Sequence, residues 1–386
     1  MEKTIMEKTR NVEKTKNLGI SVVICTKNRP NHLKACLTSL LKQTYPPKAI
    51  IIVDDYSDED LNVYEFLMDE IATFHYSILE LLHNVDITLI KNKVHSGIVA
   101  SRNTGISVAG GDIVAFLDDD GFAHKDWLKN LAKSYGKNEK ILGVGGPVVE
   151  IGRSIKTPTR PIKNLAYIKD GKIVTNYRVK RLEEIKYLPR KFVPFLQGGN
   201  MSFRRNALLQ VGGGNANLAG NFYREETDLC IRISRKGRLL FEPSAVTYHN
   251  TAKSGGCRDI INFDLSRFLY FMFRNTTYFF FENFGLKKAI RFTFQALRRQ
   301  IRLIQKNKTG IPRDYLLIIN KKQHIKSAIL GSLAGFLKWL RPRKSQQLVC
   351  SESASVNYFK LIFVANTLEI IKIDDKASLI RGFLGV

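Results

Sequence analysis

The sequence predicts an open, mostly parallel α/β sheet flanked by helices, followed by a basic and largely helical extension. Short apolar runs that end in polar residues alternate with stretches whose apolar residues recur at helical spacing, the pattern of successive strand-helix units. One of these runs ends in three consecutive acids, Asp118, Asp119 and Asp120. Toward the C-terminus the charge becomes one-sided: Leu286 to Lys344 holds sixteen Lys or Arg and one acid, Asp314.

The elements follow in order. Ile20-Ser-Val-Val-Ile-Cys reads as a first strand, and Leu33, Leu37, Leu40 and Leu41 mark a helix behind it. Ala49-Ile-Ile-Ile-Val-Asp-Asp is a second strand closing on two acids. A helix-like stretch from Leu61 to Leu82 leads to a third at Ile87-Thr-Leu-Ile, and Gly97 to Ala109 leads to Ile113-Val-Ala-Phe-Leu and the three aspartates. Beyond Lys140 the pattern is less regular, and the polar, basic stretch from Arg153 to Arg190 suggests a surface hairpin or loop. Glu225 to Arg232 opens a helix with acids in its first turn, where they favour the helix dipole without any catalytic role. Asp228 and Arg232 within it have the spacing of a surface ion pair. Ala245-Val-Thr reads as a strand followed by His249.

Ligands of open α/β sheets bind beyond the carboxyl ends of the strands. Thr26, Asn28 and Arg29 after the first strand, Asp54 and Asp55 after the second, and Asp118 to Asp120 therefore fall in one cleft. Three adjacent carboxylates fit two accounts. They make a solvated turn capping the helix near Trp127, or they hold a divalent cation that offsets their mutual repulsion.

Composition narrows the function classes. A chain of 386 residues, 44% of them apolar, has enough core for one large domain and an appendage. Its five cysteines are scattered and form no CxxC pair, which argues against a disulfide framework or a zinc knuckle and for a reducing compartment. Residues 1–18 read as a flexible charged leader without the apolar core of a secretory signal. No stretch reaches the roughly 18 uninterrupted apolar residues of a spanning helix. The net charge of +26 implies an anionic partner, nucleic acid or a bilayer surface. Leu286, Ile290, Phe294, Leu297, Ile301 and Ile304 lie on one helical face with Arg291, Arg298 and Arg302 off it. That helix either lies on an acidic membrane or packs on the preceding domain with its basic face solvated. Leu333, Phe336, Leu337, Trp339 and Leu340 beside Lys338, Arg341, Arg343 and Lys344 repeat the chemistry and favour the membrane.

Six blocks in this order and spacing resemble the family 2 glycosyltransferases of GT-A fold. They are Cys25-Thr-Lys-Asn-Arg-Pro, Val53-Asp-Asp-Tyr-Ser, Gly97 with Ala100-Ser-Arg102-Asn-Thr-Gly-Ile, Gly111-Asp-Ile-Val-Ala-Phe-Leu-Asp-Asp-Asp120, Gly198-Gly199-Asn200, and Glu225-Glu-Thr-Asp-Leu. The resemblance covers roughly residues 19 to 255. It implies inverting transfer of a sugar from a nucleotide-diphosphate sugar to a hydroxyl acceptor, with Mn2+ or Mg2+ as cofactor. By position, Thr26, Asn28 and Arg29 would line the nucleotide pocket, Asp54 or Asp55 would accept from base or ribose, and Arg102 would sit near the pyrophosphate. Gly199 and Asn200 would approach the donor, as would Asp119. Asp120 would be the direct metal ligand, with Asp118 on ribose, metal or metal-bound water, and His249 falls where relatives place a histidine near the metal. The family's general base is an aspartate, and here that position reads Glu226, so the base is Glu226 or Glu225. Val211-Gly-Gly-Gly-Asn also departs from the family pattern, and its extra glycine implies a more mobile acceptor-side loop.

The expected organisation is therefore a leader (1–18), a catalytic domain (19–255), an aromatic and basic helical extension (256–344) and a tail of unassigned role (345–386). The expected acceptor is a lipid-linked or growing glycan, and the expected place is the cytoplasmic face of an anionic membrane, bound peripherally. Nucleotidyl or phosphoryl transfer is the rival enzymatic reading, but no GxxxxGK[ST] loop accompanies the aspartates. A nonenzymatic RNA- or membrane-binding module would explain the charge but not an acidic cleft, since acids repel nucleic acid, and no nucleic-acid partner is expected.

Overall fold

The structure, a computed structural model, describes residues 18–58, 85–252, 254–255, 264–306, 321–341, 357–364 and 367–373. The helix expected at 61–82 lies outside them. The first half runs β1 (Ile20–Thr26), α1 (Pro30–Leu41), β2 (Ala49–Asp54), β3 (Asp86–Lys91), α2 (Ile98–Val108), β4 (Ile113–Phe116), β5 (Gly121–Ala123), α3 (Trp127–Gly136) and β6 (Ile141–Gly145). Next come β7 (Val148–Ile151), β8 (Ala166–Lys169), β9 (Lys172–Thr175), β10 (Arg178–Val179), β11 (Lys191–Val193), β12 (Met201–Arg204), α4 (Arg205–Gln210), α5 (Glu225–Ser234), β13 (Arg238–Phe241) and β14 (Thr247–Asn250). Helices α6 (Leu265–Asn283), α7 (Leu286–Gln305) and α8 (Lys321–Leu340) precede a hairpin, β15 (Asn357–Val364) and β16 (Thr367–Ile373).

Among the described residues the main sheet has ten strands in the order β11-β13-β6-β12-β4-β1-β2-β3-β15-β16. Strands β4, β1, β2 and β3 are mutually parallel, as are β13 and β6; β12 enters antiparallel between β4 and β6. Parallel strands covered on both faces are apolar throughout. Period-two alternation divides each between two cores. Ile20, Val22, Ile24, Ile50 and Ile52 pack under α1 and α3 with Leu33, Leu37, Trp127 and Leu131. Val23, Ile51, Val53 and Phe116 pack on the other face with Ile106 of α2 and Leu229 and Ile233 of α5. Helix α2 lies very close to the sheet because Gly105 has no side chain: a Cβ there would sit 2.4 Å from Val23 Cγ1.

A second, four-stranded sheet in the order β10-β7-β14-β5 branches from the end of β4. The irregular stretch from Arg153 to Arg190 contains the expected hairpin, β8 paired antiparallel with β9. The apolar segment of the tail becomes the edge of the main sheet, with β15 antiparallel to β3 and β16 outside it.

Helix α6 is capped by Asp264, whose carboxylate accepts from Ser266 N (2.8 Å) and Arg267 N (3.1 Å). Helix α8 packs on it backbone to backbone: added Cβ atoms at Gly331 and Gly335 would lie 2.2 Å from Tyr270 O and 2.3 Å from Arg274 O. These small residues face inward, so Leu330, Leu333, Leu337 and Leu340 face out, at 45–56% exposure. On α7 the buried residues are Ala289, Phe292 and Ile304, while Leu286, Ile290 and Phe294 are 54–64% exposed. The start of the expected apolar face is thus uncovered. No described helix is long and apolar enough to cross a membrane.

The glycine-rich segment after α4 is bonded by side chains at several points. Gly212 and Gly213 take left-handed φ of 71° and 68°, conformations open to glycine at no steric cost. Arg232 donates to Val211 O (2.7 Å) and Gly213 O (2.8 Å), Asn103 Nδ2 to Gly214 O (3.0 Å), and Asn275 of α6 to Ala219 O (2.8 Å). Asp228 and Arg232 are likewise no surface pair. Asp228 is fully buried, Arg232 bonds it at 2.8 Å, and Asn283 of α6 donates to its other oxygen at 2.8 Å.

Candidate active site

The carboxyl ends of β1, β2 and β4 and the start of α5 enclose a cleft of about 440 Å³. It is lined by Thr26, Arg29, Asp55, Arg102, Asp118, Asp119, Asp120, Gly199, Glu225, Glu226 and His249. The structure thus brings together most of the residues singled out in the sequence. Asn28, Asp54 and Asn200 stand behind the cleft wall.

The three aspartates form the turn between β4 and β5, closed by Gly121 N donating to Asp118 O at 2.9 Å. Their side chains diverge. Asp119 is buried against the first strand, accepting from Thr26 Oγ1 (2.8 Å) and Arg29 (2.8 Å). Burial pushes its pKa up to about 6 against the pull of the Arg29 charge. Arg29 also donates to the carbonyls of Ser254 and Gly255, so one guanidinium ties the loop after β1 to the chain beyond β14.

Asp118 and Asp120 turn the other way. Antiparallel pairing of β5 with β14 sets His249 opposite Gly121, one residue past Asp120. Its Nε2 lies 3.1 Å from Asp120 Oδ1, and ligand atoms of Asp118, Asp120 and His249 all lie within 4.8 Å of one another. The second ring nitrogen faces Glu150 Oε2 at 3.2 Å, a buried carboxylate that fixes the imidazole as outer partners fix metal-binding histidines. Burial alone would raise the pKa of Asp120. His249 and the Ala252 N–H (3.0 Å) outweigh it and hold the carboxyl below its usual range. Two hard oxygen donors and an oriented imidazole suit a divalent cation.

Arg102, on α2, spans the cleft floor. It stacks on Phe116 with 5.6 Å to the ring centroid, pairs with Glu225, and reaches Asp118 Oδ1 at 3.3 Å. Burial works against its charge, but Glu225 and Asp118 more than compensate and raise its pKa. Burial likewise pushes Glu225 up to about 7, opposed by Arg102. Glu226, one residue on, is half-buried and lines the cleft, and among the described residues it has no hydrogen bond or salt bridge. The preceding loop holds Phe222 and Arg224 at φ 51° and 81°, strained values for residues with side chains. The Phe222 ring packs directly over Gly97, whose φ of 82° and lack of Cβ leave the room.

Asp55 spends its oxygens on the loop after β3. It accepts from Ser96 N (2.8 Å), Gly97 N (2.8 Å) and Asn92 (3.0 Å), and pairs with His95 (2.8 Å). Despite burial these partners lower its pKa, and Asp55 raises that of His95. Asp54 accepts from Ser57 N and Oγ (3.0 and 2.6 Å), and Ser57 Oγ in turn accepts from Asn28 N (2.9 Å). Asn28 also exchanges hydrogen bonds with Asp58. Asn200 donates to Pro147 O (3.0 Å) and Ala245 O (2.8 Å) and accepts from Trp127 Nε1 (3.0 Å), joining the two sheets under the floor. Gly199 is needed for clearance: a Cβ there would meet Asp118 Oδ2 at 2.9 Å.

Sequence reasoning missed His95, Glu150, Arg153, Arg178, Gln197, Phe222 and Tyr223. Arg178 pairs with Glu150 and, with the Gln197 amide oriented to accept, donates to its oxygen at 2.6–2.7 Å. Glu150, Arg153 and Arg178 lie in the irregular middle of the chain, where no local motif marks them. The one signal for Glu150 is its place in the short apolar run Val148-Val149-Glu150-Ile151, since a buried acid between apolar neighbours needs a partner.

Residues 21–212 match a model of the Glycosyl transferase family 2. A glucosyl-dolichyl phosphate glucuronosyltransferase of Haloferax volcanii is 28% identical over 240 residues, 60% of this chain and 69% of that protein. A pre-mycofactocin glycosyltransferase of Mycobacterium tuberculosis is 26% identical over 233 residues, 60% of this chain but 42% of that protein. A solved mannosyltransferase from Pyrobaculum calidifontis, in complex with GDP-Man and Mn2+, aligns over 86% of this chain and 93% of its own at 14% identity, with a TM-score of 0.46. The matched segment carries β1 to β4, the three aspartates and the Gly198-Gly199-Asn200 turn. With this match over its mostly parallel sheet, the chain belongs to the family 2 glycosyltransferases.

Proposed function

We propose that this protein is a metal-dependent, inverting glycosyltransferase that moves a sugar from a nucleotide-diphosphate sugar to a hydroxyl of a lipid-linked or growing glycan. One observation carries the reading: two unlike carboxylate groups face one cleft. Asp118 and Asp120 converge with His249, whereas Glu226 stands without a partner among the described residues. Asp118, Asp120 and His249 would hold a divalent cation, Mn2+ or Mg2+, whose Lewis acidity stabilises the charge building on the departing diphosphate. Glu226 accepts the acceptor's hydroxyl proton as that oxygen bonds to the anomeric carbon and the bond to the diphosphate breaks on the opposite face. Glu225 is held by Arg102 and fits a positioning role. Asp55 and Arg29 shape the nucleotide end of the cleft through the loops they fix.

Catalysis is assigned to residues 19–255 and membrane docking to 256–344, with the hairpin of 345–386 completing the sheet. Exposed leucines on α8, and exposed Leu286, Ile290 and Phe294 beside Lys287, Lys288 and Arg291 on α7, match the chemistry of an anionic bilayer surface. The Haloferax relative, named for action on a glucosyl-dolichyl phosphate, supports a lipid-linked acceptor. The test incubates the purified protein with Mn2+ or Mg2+ and a panel of nucleotide sugars, following donor hydrolysis and thermal stabilisation. One donor should register and Asp120→Ala should abolish its turnover; silence across the panel, or an unaffected Asp120→Ala enzyme, overturns the proposal.

A further inference from the structure

Beside the catalytic cleft lies a second groove of about 920 Å³, walled by residues 155–163 and by Thr175, Asn176 and Arg178. Arg178 lines both cavities, so the two adjoin at that side chain. The groove is lined by Lys156, Arg160, Lys163 and Arg178 and by no acid, whereas the cleft carries both signs of charge. Residues 151–182 contain nine Lys or Arg and a single acid, Asp170. Lys156, Arg160 and Lys163 all reach the groove, and among the described residues none has an acidic partner. Like charges gathered on one concave wall repel each other, and an anion seated among them relieves that cost.

The wall is fixed in place. Thr157 Oγ1 donates to Glu184 (3.1 Å), Ile162 N to Tyr187 O (3.0 Å), Asn176 N to Leu165 O (2.8 Å) and Asn176 Nδ2 to Asn164 O (2.9 Å). The hairpin that continues it rests on α7: a Cβ at Gly171 would lie 2.2 Å from Phe292 O, and Arg299 donates to Asp170 O at 3.3 Å. The groove therefore adjoins the catalytic cleft at Arg178 and, at Thr175, the end of the hairpin that rests on α7.

We infer that this groove is the acceptor's anion subsite and that the acceptor carries a phosphate ester, seated on Lys156, Arg160 and Lys163 while its hydroxyl enters the cleft at Glu226. This rests on the glycosyltransferase reading and adds the acceptor's chemical class. A preformed cationic wall gains affinity for an anion without the cost of ordering a loop, and its place beside the cleft at Arg178 suits a molecule that also enters the cleft.

The test uses the full chain with geranyl phosphate, geraniol and inorganic phosphate as probes in titration calorimetry at low ionic strength. Geranyl phosphate should bind and geraniol should not. Arg160→Glu with Lys163→Glu should weaken geranyl phosphate by about tenfold or more, the loss of a charge-assisted hydrogen bond. Lys133→Glu with Lys137→Glu, an equal charge change on exposed positions at α3, should leave that binding intact. Tighter binding of geranyl phosphate than of inorganic phosphate assigns the subsite to lipid phosphates, and equal binding assigns it to soluble phosphate esters. Equal binding of geraniol, no effect of the Arg160/Lys163 pair, or the same loss from the Lys133/Lys137 pair overturns the subsite. Donor hydrolysis by the unmodified enzyme is scored separately, so a failure of the glycosyltransferase reading is seen on its own.

Discussion

The two sides of the cleft are built on opposite principles. On the side formed by β1, β2 and β4 most charges are spent: Asp119 on Arg29 and Thr26, Asp55 on two backbone N–H groups, Asn92 and His95. Toward α5 and residues 151–182, Glu226 in the cleft and Lys156, Arg160 and Lys163 in the adjoining groove have no side-chain partner of opposite charge among the described residues. Paired groups hold a shape; unpaired ones wait for a ligand or a proton. In the proposed function the first side is the seat for the donor and the second the face that receives the acceptor.

The sharpest way to break this contrast is to empty the point where the sides meet. Asp120→Ala removes a proposed cation ligand and should lower kcat/KM by about 10³-fold or more, several kcal/mol of leaving-group stabilisation, in a donor-turnover assay. Next, Glu226→Gln should cost about 10²- to 10⁴-fold in kcat, the worth of a general base, with little change in the donor's KM. Glu225→Gln should cost less and should act on stability through Arg102; the reverse ranking would exchange the two roles. On the paired side, Asp119→Ala removes the nearer carboxylate from the largely buried Arg29 guanidinium, leaving Asp120 at 3.7 Å, and should destabilise the fold by about 2 kcal/mol, read by urea denaturation.

Smaller effects test the outer parts. Leu333→Asn with Leu337→Asn should reduce flotation with anionic liposomes by about 1 kcal/mol per side chain without lowering the melting temperature, because both leucines are exposed. The smallest effect concerns His95, whose pKa Asp55 raises. Its contribution to stability should be complete below its unfolded pKa of about 6.5 and fade as pH rises through the higher folded value. Denaturation of the wild type and His95→Gln should therefore differ most in mild acid and converge toward alkaline pH.

Much of the donor side was legible in the sequence because its elements are local. An apolar run marks each parallel strand, and the residues just after it fall at the carboxyl edge, so Thr26, Arg29, Asp55 and Asp118 to Asp120 could be placed together. What each does there was not legible. Nothing in three adjacent aspartates says that the middle one turns back to Arg29 while its neighbours meet His249, 129 residues beyond Asp120, since that depends on β5 pairing with β14. Asn200 and Asp54 carry family motifs yet serve the scaffold. The acceptor side drew on long-range packing, with α6 fixing the 215–224 segment through Asn275 and Asn283, and local periodicity holds no record of such contacts.

The hairpin β15–β16 has a consequence for the making of the protein. Strand β3 ends at Lys91, but the strand that covers its open edge begins at Asn357. At ribosomal rates of about 5–20 residues per second, that edge stays unpaired for on the order of 10–60 s of synthesis. A nascent chain that already carries an otherwise assembled active site therefore offers a free strand edge, a template for pairing with a neighbouring chain on the same polysome. These late-translated strands act as a built-in stopper, so termination ahead of them would leave a product that is sticky as well as short.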